Sequence, residues 1–200
     1  MLGLNLVRDF FYRPQEETSY RKEAVSFLPA DSAILKARFL AIGGGKGGVG
    51  KSFVATNLGV LLSRLGKKVL IVDADLGAAN LHTFLGAEGA RLPLSGFLKG
   101  ENSAIESLIG KTAVPNLDII SGANDALDVA DLGGEKIARL RDGLKRVDYD
   151  YILLDTGPGT ASNLLDLFLM GDDGIIITTV EPTSIENTYR FIKCLVLRKI

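Results

Sequence analysis

Tryptophan is absent from this chain, and cysteine and histidine occur once each, as Cys194 and His82. With so few soft ligands, one chain can build neither a disulfide framework nor a cysteine or histidine metal cluster. An iron–sulfur carrier would need paired cysteines, so Cys194 alone could at most bridge a cluster between two chains. A reducing cytoplasm is the expected compartment. An excess of charge is lacking too: 23 Lys and Arg stand against 24 Asp and Glu, for a net charge of −1 at pH 7. Composition therefore gives no support for nucleic-acid binding. No apolar run approaches the ~18 to 20 residues of a membrane span, since LFLMGDDGIIITTV is broken by Asp172 and Asp173. The start MLGLNLVRDFFYR lacks the basic lead and small-residue cleavage site of a signal peptide, so none is expected.

What the chain has in quantity is glycine, 23 in 200 residues, within a composition that is 46% hydrophobic and 24% charged. That is the composition of one globular domain with a sizeable core. The glycines concentrate in GGGKGGVGKS, Gly43 to Ser52, which joins an apolar run to a helical pattern. Glycines allow positive φ and close approach, so successive N–H groups can converge on phosphate oxygens, with the positive end of the following helix aimed at the same place. Gly45, Gly50, Lys51 and Ser52 satisfy G-x-x-x-x-G-K-[ST]. In that motif the lysine reaches the β- and γ-phosphates and the hydroxyl coordinates Mg²⁺. Gly43, Gly45 and Gly48 also spell the dinucleotide fingerprint G-x-G-x-x-G, with acids further on at Asp73 and Asp75, but that motif assigns no role to Lys51 or Ser52.

Along the chain, residues 1–36 form an extension before the core. Leu4, Val7, Phe10 and Phe11 stand at helical spacing ahead of the polar RPQEETSYRKE. They suit a short amphipathic helix for a partner or membrane surface, but so short a segment carries few anchoring side chains, which favours a tail packed on the domain or disordered. From ARFLAIG the pattern is regular: strand, glycine loop, then a helix from about Lys51 to Leu65 with Val54, Leu58, Leu61, Leu62 and Leu65 on one face, closed by Gly66. KKVLIVDAD is a second buried strand, giving a parallel unit with a right-handed crossover. The middle alternates short helical pieces, LHTFLG, LSGFLKG and AIESLIG. NLDIISG, DYDYILLDT and GIIITTV are three further strands, making five. EKIARLRDGLKRV, ASNLLDLFLM and EPTSIENTYRFIKCLVLRKI are helices, the last with Thr183 and Glu186 as a capping box.

A phosphate loop binds phosphate, and hydrolysis also needs carboxylates to hold the magnesium shell and orient water. Asp155 closes the strand YILLD ahead of a Gly157, Pro158, Gly159 turn, a Walker B arrangement with a loop able to sense the γ-phosphate. The alternative is an aspartate capping the next helix. Asp73 and Asp75 end the second strand, where parallel strands line a ligand crevice, and either could instead cap a short helix near Asn80. His82, with no metal partner in sight, is read as a polar surface residue.

GKGGVGKS, with the extra lysine Lys46, resembles the deviant Walker A signature of the MinD/ParA family of ATPases. VLIVDADLGAANLHTFLG resembles that family's second strand and switch I. The likeness continues through ILLDTGPGT and EPTSIENTYRFIK, covers most of residues 37–200, and runs closest to MinD-like flagellar-number regulators (FlhG/FleN type). It implies a three-layer α/β P-loop NTPase fold, a mostly parallel sheet with helices on both faces, over residues 37–200. It also implies ATP and Mg²⁺ as ligands, and an ATP-state homodimer acting as a switch that positions or counts a cellular structure such as a flagellum or division site. By resemblance, residues 45–52 (Gly45, Lys46, Gly47, Gly48, Val49, Gly50, Lys51 and Ser52) cradle the nucleotide. Lys46 reaches the partner's phosphates, Asp75 orients water, Ser52 ligates magnesium directly, and Asp73 and Asp155 hold it through waters. A protein partner, and a membrane surface approached from the cytoplasm, are expected. A ParA-type partitioning ATPase that binds DNA and a metabolic kinase or ligase of the superfamily are the alternatives. The chain departs from the family in placing Gly157 before Pro158 after the Walker B aspartate. Its extension has no recognisable glutamine-containing helix, and the family's later strands, base-recognition residues and C-terminal membrane helix are not found in it.

Overall fold

The computed structural model describes residues 37–75, 81–87, 94–100, 104–122 and 133–199. The extension 1–36, with the tail or short amphipathic helix weighed for it, lies outside them, as do residues 76–80 of the segment expected to be switch I. Continuous apolar runs put strands at the centre of the sheet, because a parallel strand covered on both faces has no polar side. Arg38–Gly43 forms β1, Val69–Ala74 β2, Ile109–Lys111 β3, Leu117–Ile120 β4, Tyr151–Thr156 β5 and Asp173–Ile176 β6. They assemble in the order β3-β4-β2-β5-β1-β6, with every pairing parallel except β3 against β4.

Side-chain alternation divides the core in two. Leu70, Val72, Ile152 and Leu154 belong to a cluster under helices α3 (Leu94–Lys99), α4 (Gly134–Leu144), α5 (Ser162–Leu169) and α6 (Pro182–Lys199). Val69, Ile71 and Leu153 belong to one under α1 (Lys51–Arg64) and the short α2 (Leu81–Phe84). The fold is thus a mostly parallel sheet between helical layers, as expected. Because side chains alternate, Asp73 and Asp155 share the parity of Ile71 and Leu153 and lie toward α1.

Three local readings are corrected. AIESLIG is a single 3₁₀ turn, Ile105–Leu108, running into β3, so the sheet has a sixth, antiparallel edge strand. Three residues are too few to show a period of 2. The inner face of α1 is made by Ala55, Thr56, Gly59, Val60, Leu62 and Ser63, while Leu61 is 57% exposed and Val54, Leu58 and Leu65 are only partly covered. The helix lies close on the sheet: a Cβ at Gly59 would sit 2.7 Å from Ile71 Cδ1. Small residues permit that approach, so apolar periodicity misplaces the face. The capping box is absent. Pro182 is the first residue of α6, Glu181 O accepts the N–H groups of Ser184 and Ile185, and the carboxylate of Glu186 accepts from Arg190.

Gly66 does end α1. At φ +81° it donates to Ser63 O while Lys67 N donates to Leu62 O, a Schellman closure. GIIITTV pairs for only part of its length because its neighbour β1 turns away at Gly43. Ile177 N still donates to Gly43 O at 2.9 Å.

Candidate functional site: a phosphate loop beside two buried carboxylates

The loop leaves β1 at Gly43 and enters α1 at Lys51, with Gly48 and Gly50 at φ +74° and +99°. Both are left-handed conformations that favour glycine. The first turn of α1 carries no side-chain cap and no acidic residue. Its unpaired N–H groups and positive end are left for a ligand, which is the chemistry of an anion site. Lys51 is buried against the loop and donates from Nζ to Lys46 O at 3.2 Å. Burial lowers its pKa, opposed by the nearby Asp155 and Asp75 carboxylates.

Register brings the acids to this loop. On β5, Asp155 pairs with Ile42 of β1 on one side and Asp73 of β2 on the other, placing it one residue from where the loop begins. Asp155 is 1% exposed, and neither carboxylate oxygen has a hydrogen-bond partner of good geometry. Burial pushes its pKa up to about 7, against the pull of the Ser52 hydroxyl beside it and with Asp73 adding to the rise. A buried carboxylate whose oxygens lack a well-placed donor among the described residues is costly and suits a cation.

Asp73 is occupied differently. Its Oδ1 accepts from Asp75 N at 3.3 Å and its Oδ2 from Leu81 N at 3.1 Å, which anchors the start of α2. The capping alternative therefore falls to Asp73. Burial raises its pKa to about 6, partly offset by those two bonds. Asp75, half-buried, faces the turn after β5, where a Cβ at Gly157 would lie 3.1 Å from Asp75 Oδ1. That turn also touches the loop, Gly159 N donating to Gly44 O at 3.3 Å.

Lys46 does not point toward its own loop's interior. Its ammonium donates to Glu181 Oε2 and, at 3.1 Å, to Thr183 Oγ1, both at the start of α6. Sequence reading passed over these two acceptors, and the only available signal was an acid and a hydroxyl opening a helix. His82 is exposed on α2, as expected of a surface residue. Among the described residues no three His, Cys, Asp or Glu side chains gather as a metal cage. A cation here would be held by few protein oxygens, which is the habit of magnesium bound with a phosphate substrate.

An uncapped helix behind a glycine loop, with strand-end carboxylates on the same side of a mostly parallel sheet, defines the chain as a P-loop nucleotide-binding domain. The family model described as "AAA domain" matches residues 37–197. The septum site-determining protein MinD of Synechocystis sp. is 33% identical over 157 residues, 78% of this chain and 58% of that protein. Among solved structures, MinD of Pyrococcus horikoshii complexed with Mg-ADP has a TM-score of 0.71 at 34% identity, covering 82% of this chain and 65% of that one. A plasmid partition protein of Borrelia burgdorferi bound to AMPPNP gives 0.68 at 30%, covering 82% and 71%. The chain belongs to the MinD/ParA family of P-loop ATPases. It spans somewhat over half the length of the curated relatives it matches. No helix among the described residues is long and apolar enough to cross a membrane.

Proposed function

We propose that this chain binds ATP with magnesium, hydrolyses it, and works as a MinD-like nucleotide switch controlling the position or number of a cellular structure. The observation that carries this reading is the unpaired, buried carboxylate of Asp155 set beside the uncapped α1 and its glycine loop. The loop N–H groups and Lys51 bind the phosphates. Ser52, with Asp155 and Asp73 through waters, would hold the cation. Bound magnesium supplies positive charge that offsets the charge developing on the transferred phosphoryl group. Asp75 orients the attacking water, and the Gly157–Gly159 turn, touching both Asp75 and the loop, relays the state of the site. Support for the ligands comes from the Mg-ADP and AMPPNP complexes of the two structural relatives.

In the same reading, two chains close over ATP and Lys46 of one completes the other's site. Its outward course toward α6 supports this, since a cation so placed serves a neighbouring surface once Glu181 releases it. The direct test is calorimetric titration with Mg-ATP, Mg-ADP and Mg-GTP, followed by phosphate release. ATP should be preferred, and equal affinity for GTP would refute adenine selectivity alone. Absence of any magnesium-dependent nucleotide binding would remove the whole reading.

A further inference from the structure

The first glycine of the phosphate motif, Gly45, is not among the residues with positive φ. Its need for glycine is spatial. A Cβ there would lie 2.9 Å from Thr188 N and closer still to the carbonyl carbon and oxygen of Asn187, all backbone atoms of α6. The preceding Gly44 is confined likewise, a Cβ there meeting Ile177 O at 2.6 Å. Helix α6 and the segment entering it thus form a wall on which the loop rests.

What fixes that wall is a chain of hydroxyls. Ser184 is fully buried, and its Oγ accepts from Thr179 N at 3.1 Å and shares a hydrogen bond with Thr178 Oγ1 at 3.1 Å. From the next turn of α6, Thr188 Oγ1 donates to Thr178 Oγ1 at 3.0 Å. Thr178 and Thr188 adjoin Ile177 and Asn187, the residues that limit the two glycines. The bonds therefore tie the strand exit and the helix together at the height of the loop. We propose that Ser184 is a positioning residue for phosphate binding: by clasping α6 to the exit of β6 it sets the wall against which Gly44 and Gly45 hold the loop on the phosphates. This rests on the nucleotide-binding reading above.

The test is Mg-ADP affinity by calorimetry for Ser184→Ala, for Thr188→Val, and for Ser63→Ala as a control. Ser63 is also buried, loses one hydrogen bond to Val60 O, and lies at the far end of α1. All are compared at a temperature where each is folded by circular dichroism. Ser184→Ala is expected to weaken Mg-ADP about tenfold, and Thr188→Val, nearly isosteric and breaking the other end of the chain, about threefold. Ser63→Ala should stay within twofold, although it destabilises the fold. If Ser184→Ala does not fold, Thr188→Val decides by the same criterion. Wild-type affinity in the clasp variants, or an equal loss in Ser63→Ala, overturns the inference and leaves the nucleotide reading standing. Failure of the wild-type chain to bind Mg-ADP sinks both.

Discussion

Asp155 is the residue at which folding and function conflict most sharply. In metal-free protein its carboxyl titrates near 7 rather than the ordinary 3.8, chiefly because it is buried. Between those values the folded chain keeps a proton that the unfolded chain has lost, so stability should fall as pH rises from about 4 to 7 and level off above. Asp155→Asn removes the penalty. In urea titrations with a chelator it should be more stable than wild type by on the order of 4 kcal/mol at pH 8 and indistinguishable at pH 4. Parallel profiles at both pH values would show that the carboxylate carries no such strain. The same variant should lose magnesium-dependent nucleotide binding, stability and function moving in opposite directions. Lys46 is the complementary case: half-buried, its ammonium is paired with Glu181 and Thr183 at the start of α6. Lys46→Ala should retain nucleotide binding yet lose turnover by about 10³ if it acts as a trans finger. Normal phosphate release from that variant would refute the assignment.

Among the elements, α1 joins loop to sheet, and its packing makes distinctions that hydropathy does not. Leu62 is buried and its neighbour Leu61 is 57% exposed. Leu62→Ala should cost about 2–3 kcal/mol in denaturant unfolding and Leu61→Ala less than about 0.5. Equal costs would mean the helix sits in a different rotation. At its end, Gly66 holds φ +81° with nothing within 4 Å of where a Cβ would stand, so the obstacle there is backbone strain rather than space. Gly66→Ala should therefore destabilise by about 1 kcal/mol without altering nucleotide affinity, which thermal melts and calorimetry would check together. Helix α6 differs again. Its inner side, Ser184, Phe191 and Leu195, is buried, with Phe191 edge-on to Phe168 of α5 at 5.2 Å, and this fixes the helix beside the loop.

For the whole molecule, the proposed dimer makes turnover a property of concentration. Phosphate release per chain should fall on dilution once ATP no longer holds two chains together, and mixing Lys46→Ala with an excess of Asp75→Ala chains should show whether sites are completed in trans. The second variant is expected to trap an ATP-bound dimer, visible as a doubled mass in light scattering. Turnover per chain that stays constant down to clearly monomeric dilution would eliminate the trans mechanism.

The amino-acid sequence by itself determined the loop, its lysine and hydroxyl, the two strand-end aspartates and the parallel α/β architecture. Each is encoded locally, by glycines at fixed offsets or by apolar runs bounded by turns. It also determined the family, because GKGGVGKS and ILLDTGPGT are contiguous. Only the tertiary structure decided which aspartate is free. Asp73 and Asp155 look alike as acids ending apolar strands, yet one receives two backbone N–H groups and the other none of good geometry. That difference depends on where α2 begins. The inner face of α1, the antiparallel β3 edge and the partners of Lys46 were likewise hidden, because each depends on residues far apart in the chain. Gly45 is the clearest instance: the motif demands it in one dimension, and the backbone of α6, distant in sequence, supplies the spatial reason in three.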